Sequence, residues 1–189
     1  MHIQVAFRIL GLLLMLFSLT MLPPLFCSWL FDDGIEIVFI DTFVITLLSG
    51  LFLWSLFHRY QEDMRIKDGF LITFLFYTAL GTFGALPFIQ DAGINLSIAD
   101  ALFESFSGLT TTGATVIPAL DDLPESILFY RQQLQWLGGM GIIVLAVAIM
   151  PMLGIGGMQL YRAETPGPVK DSKLTPRITQ TALWLWSIY

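Results

Sequence analysis

The sequence predicts an all-α integral membrane protein in which a short re-entrant helix and loop stands between two membrane-spanning helices. Three observations carry that prediction. The 189 residues are 56% hydrophobic and 13% charged, about half the charged share of a soluble domain, so little polar surface is available for water. Several apolar runs reach the roughly 20 residues that a bilayer crossing needs. One further stretch, Ser97 to Val116 (SIADALFESFSGLTTTGATV), is apolar enough to enter a membrane but too short to cross it.

Ile3 to about Leu30 reads as the first span, with Arg8 near its start. It is too long for the apolar core of a signal peptide, and Pro23-Pro24 and Cys27-Ser28-Trp29 stand where a cleavage pattern would be. The prolines are expected to kink the helix, which a membrane tolerates when neighbouring groups take up the freed carbonyls. Cys27, the single cysteine, has no partner for an internal disulfide and reads as a small buried apolar residue. Phe31 to Gly34, with Asp32 and Asp33, is a tight acidic turn. Ile35 to Phe57 is the second span, with Asp41 near headgroup level. His58 to Asp68 is a polar loop carrying Arg59, Arg65 and Lys67.

Gly69 to Phe88 is the third span, ended by Pro87. Ile89 to Ser126 contains no lysine or arginine but holds Asp91, Asp100, Glu104, Asp121, Asp122 and Glu125. Ile127 to about Leu153 is the fourth span, with Arg131 near its mouth. Its Gly138, Gly139 and Gly141 suit close helix packing, which would lay this span against the re-entrant helix. Gly154 to Pro176 is a polar loop with Arg162, Lys170 and Lys173. A fifth apolar run begins at Arg177 and continues to Tyr189, so the chain is expected to be a piece of a longer protein.

The net charge of −6 is no guide to partners, and the absence of a basic stripe argues against nucleic acid. Basic residues mark cytoplasmic loops. Arg8, the loop at Arg59 to Lys67 and the loop at Arg162 to Arg177 fall on one side. The acidic turn and the region from Asp91 to Glu125 fall on the other. This holds only if Ser97 to Val116 does not cross, and it places the N-terminus in the cytoplasm.

Ser97 is a helix cap, and Asp100 stands where the acid of a capping box stands. A pore helix over 98–108 is roughly 16 Å long, about half the hydrocarbon thickness. Gly108 is expected to terminate it. Its carboxyl end carries partial negative charge, which favours a cation near mid-membrane. Thr110, Thr111, Thr112 and Gly113 are expected to run extended with carbonyls facing that cation, inside a filter segment 109–115. Gly113 permits the backbone angles this needs. Asp91, Asp121, Asp122 and Glu125 would raise the cation concentration outside.

Three other readings compete. The threonine run can be an ordinary loop. Gly108 to Gly113 has the glycine spacing of a phosphate-binding loop, but Ala114 stands where lysine is required and no strand precedes it. Glu104 can be read as a catalytic acid, yet no second acid, histidine or cysteine stands at a useful spacing, and a packed position behind the filter accounts for it.

At this point the residues resemble a known family. ESFSGLTTTGATV (Glu104 to Val116), QWLGGMGIIVLAVAIMPMLGIGGMQLYRAETPGP (Gln135 to Pro168) and KLTPRITQTA (Lys173 to Ala182) are similar to motifs of the Trk/Ktr/HKT superfamily of potassium transporters, most closely the TrkH type from bacteria. The resemblance implies four helix–pore loop–helix repeats of potassium-channel-like type, preceded by two extra helices. Residues 1–68 are then the extra pair, 69–153 the first repeat, 154–176 a cytoplasmic loop and 177–189 the start of the second repeat. It implies that carbonyls of Thr110, Thr111, Thr112 and Gly113 ligate potassium, the transported ion. Ala114 stands where potassium channels place tyrosine.

The resemblance further implies a bacterial inner-membrane location, a homodimer, and a cytosolic nucleotide-binding regulator of the TrkA type. The loop 154–176 is either a contact for that regulator or a solvated connector. The family's filter-side arginine is expected beyond Tyr189. Potassium uptake, by channel or symport, is the leading reading. A non-conducting accessory subunit of the membrane is the alternative, and no enzyme is expected because no nucleophile–base pair or metal spacing occurs.

Overall fold

The computed structural model describes residues 3–60, 66–91 and 93–153, with side chains described for 3–60, 71–91 and 93–139. Every regular element among the described residues is helical. The helices are α1 (Ile3–Leu19), α2 (Leu22–Phe31), α3 (Glu36–Phe57), α4 (Ile66–Gly84), α5 (Leu86–Gln90), α6 (Ile98–Leu109) and α7 (Glu125–Leu153), with a 3₁₀ turn at Leu120–Asp122. The polar loop expected over 154–176 and the apolar run from 177 lie outside the described residues.

Among the described residues, three stretches are long and apolar enough to cross a membrane: Ile3–Phe31, Glu36–Phe57 and Leu71–Gln90. α7 has 29 residues, and at about 1.5 Å each it exceeds the hydrocarbon thickness. α6 has 12 residues, roughly 18 Å, and does not.

The prolines break helices rather than bending them. The kink expected at Pro23-Pro24 is a break just upstream: α1 stops at Leu19 and α2 restarts at Leu22 with the prolines in its first turn. First-turn amides have no intrahelical acceptor, so proline loses nothing there. The deficit moves to the carbonyls one turn earlier. Thr20 is the residue whose carbonyl the missing Pro24 N–H would have reached, and Gln133 Nε2 of α7 donates to it at 2.7 Å. The third span is likewise interrupted rather than ended. α4 stops at Gly84, Pro87 lies in the first turn of α5, and α5 runs on to Gln90. Here the buried Tyr130 hydroxyl of α7 donates to the Gly84 carbonyl at 2.9 Å.

Close approach through glycine joins α1 to α3. A Cβ on Gly11 would lie 2.8 Å from the Gly50 carbonyl oxygen, and a Cβ on Gly50 would lie 2.8 Å from that of Gly11. Membrane helices use small residues in this way because dispersion contacts hold them together. α3 buries only a narrow stripe of Phe39, Thr42, Thr46 and Gly50. Ile37, Leu48 and Phe52 stay exposed, as does Asp41, giving an apolar face suited to lipid. The shared core centres on Tyr130, whose ring lies 5.8 Å from that of Phe39 and 5.5 Å from that of Phe88.

The two ends of the bundle differ in charge. At one, Arg8 Nη1 donates to the Tyr60 carbonyl at 3.1 Å, joining the start of α1 to the chain after α3. At the other, the Asp33 carboxylate accepts from the Ser28 hydroxyl and, at 3.2 Å, from the Ser126 amide in the first turn of α7. Burial pushes the Asp33 pKa up, but hydrogen bonds from Ser126, Ser28 and Ile35 outweigh it and hold the carboxyl below its usual range. Asp32 takes the left-handed conformation that turns the chain, with φ of 54°.

Candidate functional site

α6 packs against α4, α5 and α7 and carries the Thr-Gly loop at its carboxyl end. Its start follows the expected cap with one change. Ser97 Oγ accepts from the Asp100 amide at 3.2 Å, but the serine hydroxyl donates to the Asp100 carboxylate at 2.7 Å rather than leaving that acid to bond the Ser97 amide.

The other end departs from expectation. Gly108 does not terminate the helix, which runs to Leu109 with Thr110 as its cap. Gly108 is buried against α7, where a Cβ would meet that of Leu134 at 3.0 Å, so packing is what requires glycine there. The left-handed step falls on Thr111, with φ of 58°. Its amide bonds the Gly108 carbonyl at 2.9 Å, and the amides of Thr112 and Gly113 both reach the Ser107 carbonyl, at 2.9 and 3.2 Å. These bonds satisfy carbonyls that a helix end otherwise leaves open. Thr110 and Thr111 therefore complete the last turn, and the extended course begins at Thr112 rather than Thr110.

Thr110, Thr111, Thr112 and Gly113 are all exposed and contiguous on the outer side of this loop. Among the described residues, the carbonyls of Thr110, Thr111 and Thr112 have no hydrogen-bond donor. Gly113 has φ of 72°, and a Cβ there would meet only Gln135 Oε1, at 3.7 Å. Glycine is needed at this position for its backbone angle and not for space.

Behind the loop lies a buried ion pair. Glu104 of α6 is fully buried; its Oε1 accepts from the Thr115 hydroxyl and the Val116 amide, both at 2.6 Å. Its Oε2 accepts from Arg131 Nε at 3.0 Å. Arg131 is itself buried and extends past Glu104, so that Nη2 donates to the carbonyls of Gly113 at 3.1 Å and Ala114 at 3.4 Å. The Ser107 hydroxyl also donates to Ala114, at 2.6 Å. The carboxylate thus holds the loop's returning segment and orients the guanidinium that holds its tip.

Sequence reading placed Glu104 behind the loop but left it without a partner, and it placed Arg131 only near the mouth of the fourth span. The available signal was a lone cation in an apolar span, a residue type that must find an anion. Asp91 is also placed differently. It is buried rather than exposed, and its Oδ1 accepts from the Gly93 amide at 2.9 Å, so it shapes the turn after α5. Asp121, Asp122 and Glu125 are exposed as expected. Gly138 meets the end of α6 so closely that a Cβ would stand 2.1 Å from the Leu109 carbonyl oxygen. Among the described residues no group of three or more His, Cys, Asp or Glu is placed to hold a metal ion.

Long apolar helices packed around a short twelve-residue helix with an open carbonyl loop at its end define an all-helical membrane protein. The chain belongs to the TrkH family, described as cation transport proteins, whose family model matches residues 35–189. It is 59% identical over its whole length to the Trk system potassium uptake protein TrkH of Vibrio parahaemolyticus, and 57% identical to that of Escherichia coli K12. The E. coli potassium uptake protein TrkG is 45% identical. In each case the chain spans 39% of the relative's length. The crystal structure of the V. parahaemolyticus potassium transporter TrkH superposes with a TM-score of 0.78 at 52% identity, covering all of this chain and 37% of that one.

Proposed function

We propose that this chain supplies one quarter of a potassium-selective filter, in a protein that takes up potassium across the bacterial inner membrane. The observation that carries the reading is the row of open carbonyls at Thr110, Thr111 and Thr112, set at the carboxyl end of a short helix and closed by left-handed Gly113. Neutral carbonyls can replace the water shell of a monovalent cation without holding it permanently. The α6 carboxyl end adds partial negative charge at the same place. Thr110, Thr111, Thr112 and Gly113 are the ligands in this reading, with potassium as cargo.

Re-entry of α6 is supported by the placement of its neighbours. The Gly84 carbonyl near the end of α4 meets Tyr130 in α7, and the start of α7 meets Asp33. The chain between α5 and α7 therefore leaves and returns at one end of the bundle. The separation of Arg8 from Asp33 supports a cytoplasmic N-terminus. A homodimer and a cytosolic nucleotide-binding regulator of the TrkA type complete the proposal, by analogy with the family.

Substitution of Gly113 by serine tests it. A side chain at positive φ costs on the order of 1–2 kcal/mol and should shift the carbonyls. In the full-length protein, expressed in cells lacking other potassium uptake, Gly113→Ser should narrow the preference for potassium over sodium. An unchanged preference with normal membrane abundance would count against the filter and favour an accessory role.

A further inference from the structure

The side chain that fixes the tip of the loop is a cation, and it competes for the same oxygens that a transported cation would use. Arg131 is anchored through Nε on Glu104, at 3.0 Å. Its Nη2 reaches Gly113 O at 3.1 Å and Ala114 O at 3.4 Å. A carbonyl that accepts from a guanidinium behind it has less electron density to offer in front, and it is held at a fixed angle. Among the described residues, the carbonyls of Thr110, Thr111 and Thr112 carry no such donor.

We propose that Arg131 is a specificity-determining positioning residue: shared between Glu104 and the Gly113 and Ala114 carbonyls, it weakens and fixes the outer layer of cation ligands on this loop. The proposal rests on the filter reading above. The inner carbonyls are left to bind, while the outer ones are restrained so that a smaller ion cannot draw them inward. Glu104 sets the direction of the guanidinium, because the carboxylate is itself locked by Thr115 and Val116.

Loss of the cation has two consequences that a merely structural residue would not produce together. The freed carbonyls should bind cations more tightly, and they should discriminate among them less. In full-length protein, Arg131→Gln is therefore expected to lower the KM for potassium uptake by about tenfold, the worth of one charge-assisted hydrogen bond, and to narrow the potassium-over-sodium ratio. A KM that stays the same or rises, at wild-type abundance in the membrane, overturns the proposal.

The single variant leaves Glu104 buried without its counter-ion and can fail to fold. The double variant Glu104→Gln with Arg131→Gln removes both charges and keeps hydrogen-bonding groups at each place; it should show the same lowered KM, and a wild-type KM in it likewise overturns the proposal. Gly113→Ser measured in parallel separates the levels. If it alters selectivity while neither arginine variant does, the Arg131 proposal fails and the filter stands. If none of the three alters it, the filter reading fails.

Discussion

Gly138→Ala tests how α7 positions the loop. A methyl group at Gly138 would stand 2.1 Å from the Leu109 carbonyl oxygen and 2.7 Å from its carbon, where ordinary contact begins at 3.4 Å. Both obstructing atoms are backbone, so neither can rotate away, and one helix must retreat by more than an ångström. Overpacking of this kind costs about 1–3 kcal/mol. Leu109 immediately precedes Thr110, so the displacement passes directly into the open carbonyls. The variant should lower the melting temperature of the purified protein and also narrow its potassium-over-sodium uptake ratio. Gly11→Ala is the control. Its methyl would meet Trp54 N at 2.7 Å and Gly50 O at 2.8 Å, a similar clash at the α1–α3 crossing, remote in sequence from the loop. It should lower stability and leave the ratio unchanged. Equal effects of both variants on the ratio, or a Gly138→Ala protein indistinguishable from wild type, would refute the reasoning.

Two further predictions concern single contacts. Gln133→Leu leaves the Thr20 carbonyl without its 2.7 Å donor at the α1–α2 break and should destabilise the protein by about 1–3 kcal/mol, measured by thermal unfolding in detergent. Asp33 has a folded pKa below its ordinary 3.8, so its contribution is present above that value and is lost as pH falls through the lower folded one. Asp33→Asn should therefore flatten the acid side of the stability profile, and an unchanged acid limb would show that the carboxylate does not contribute.

The spans were legible because length and apolarity alone define them, and every boundary of α3 and α7 falls within two residues of its expected place. The cap at Ser97 and the fit of Gly138 to α6 were legible for the same reason: each follows from a local rule about one residue type. The proline breaks were half legible. The sequence marks Pro23-Pro24 and Pro87 as disruptive, but whether a helix bends or restarts depends on what meets the stranded carbonyls, and Gln133 lies 113 positions from Thr20. The end of α6 was assigned to Gly108 because glycine commonly terminates helices. Tertiary packing on Leu134 claimed that glycine instead, and Thr111 took the turn. The Arg131–Glu104 pair joins residues 27 apart and has no periodic signal; only the cost of a lone buried charge pointed to it.

One turn of α7 contributes Tyr130 to the Gly84 carbonyl, Arg131 to the loop and Gln133 to the Thr20 carbonyl. α7 is also the last of these helices to leave the ribosome. Until it arrives, two main-chain oxygens lie bare among apolar neighbours at the proline breaks, and Glu104 waits without its cation. The earlier helices therefore reach their full set of contacts only once this segment is in place.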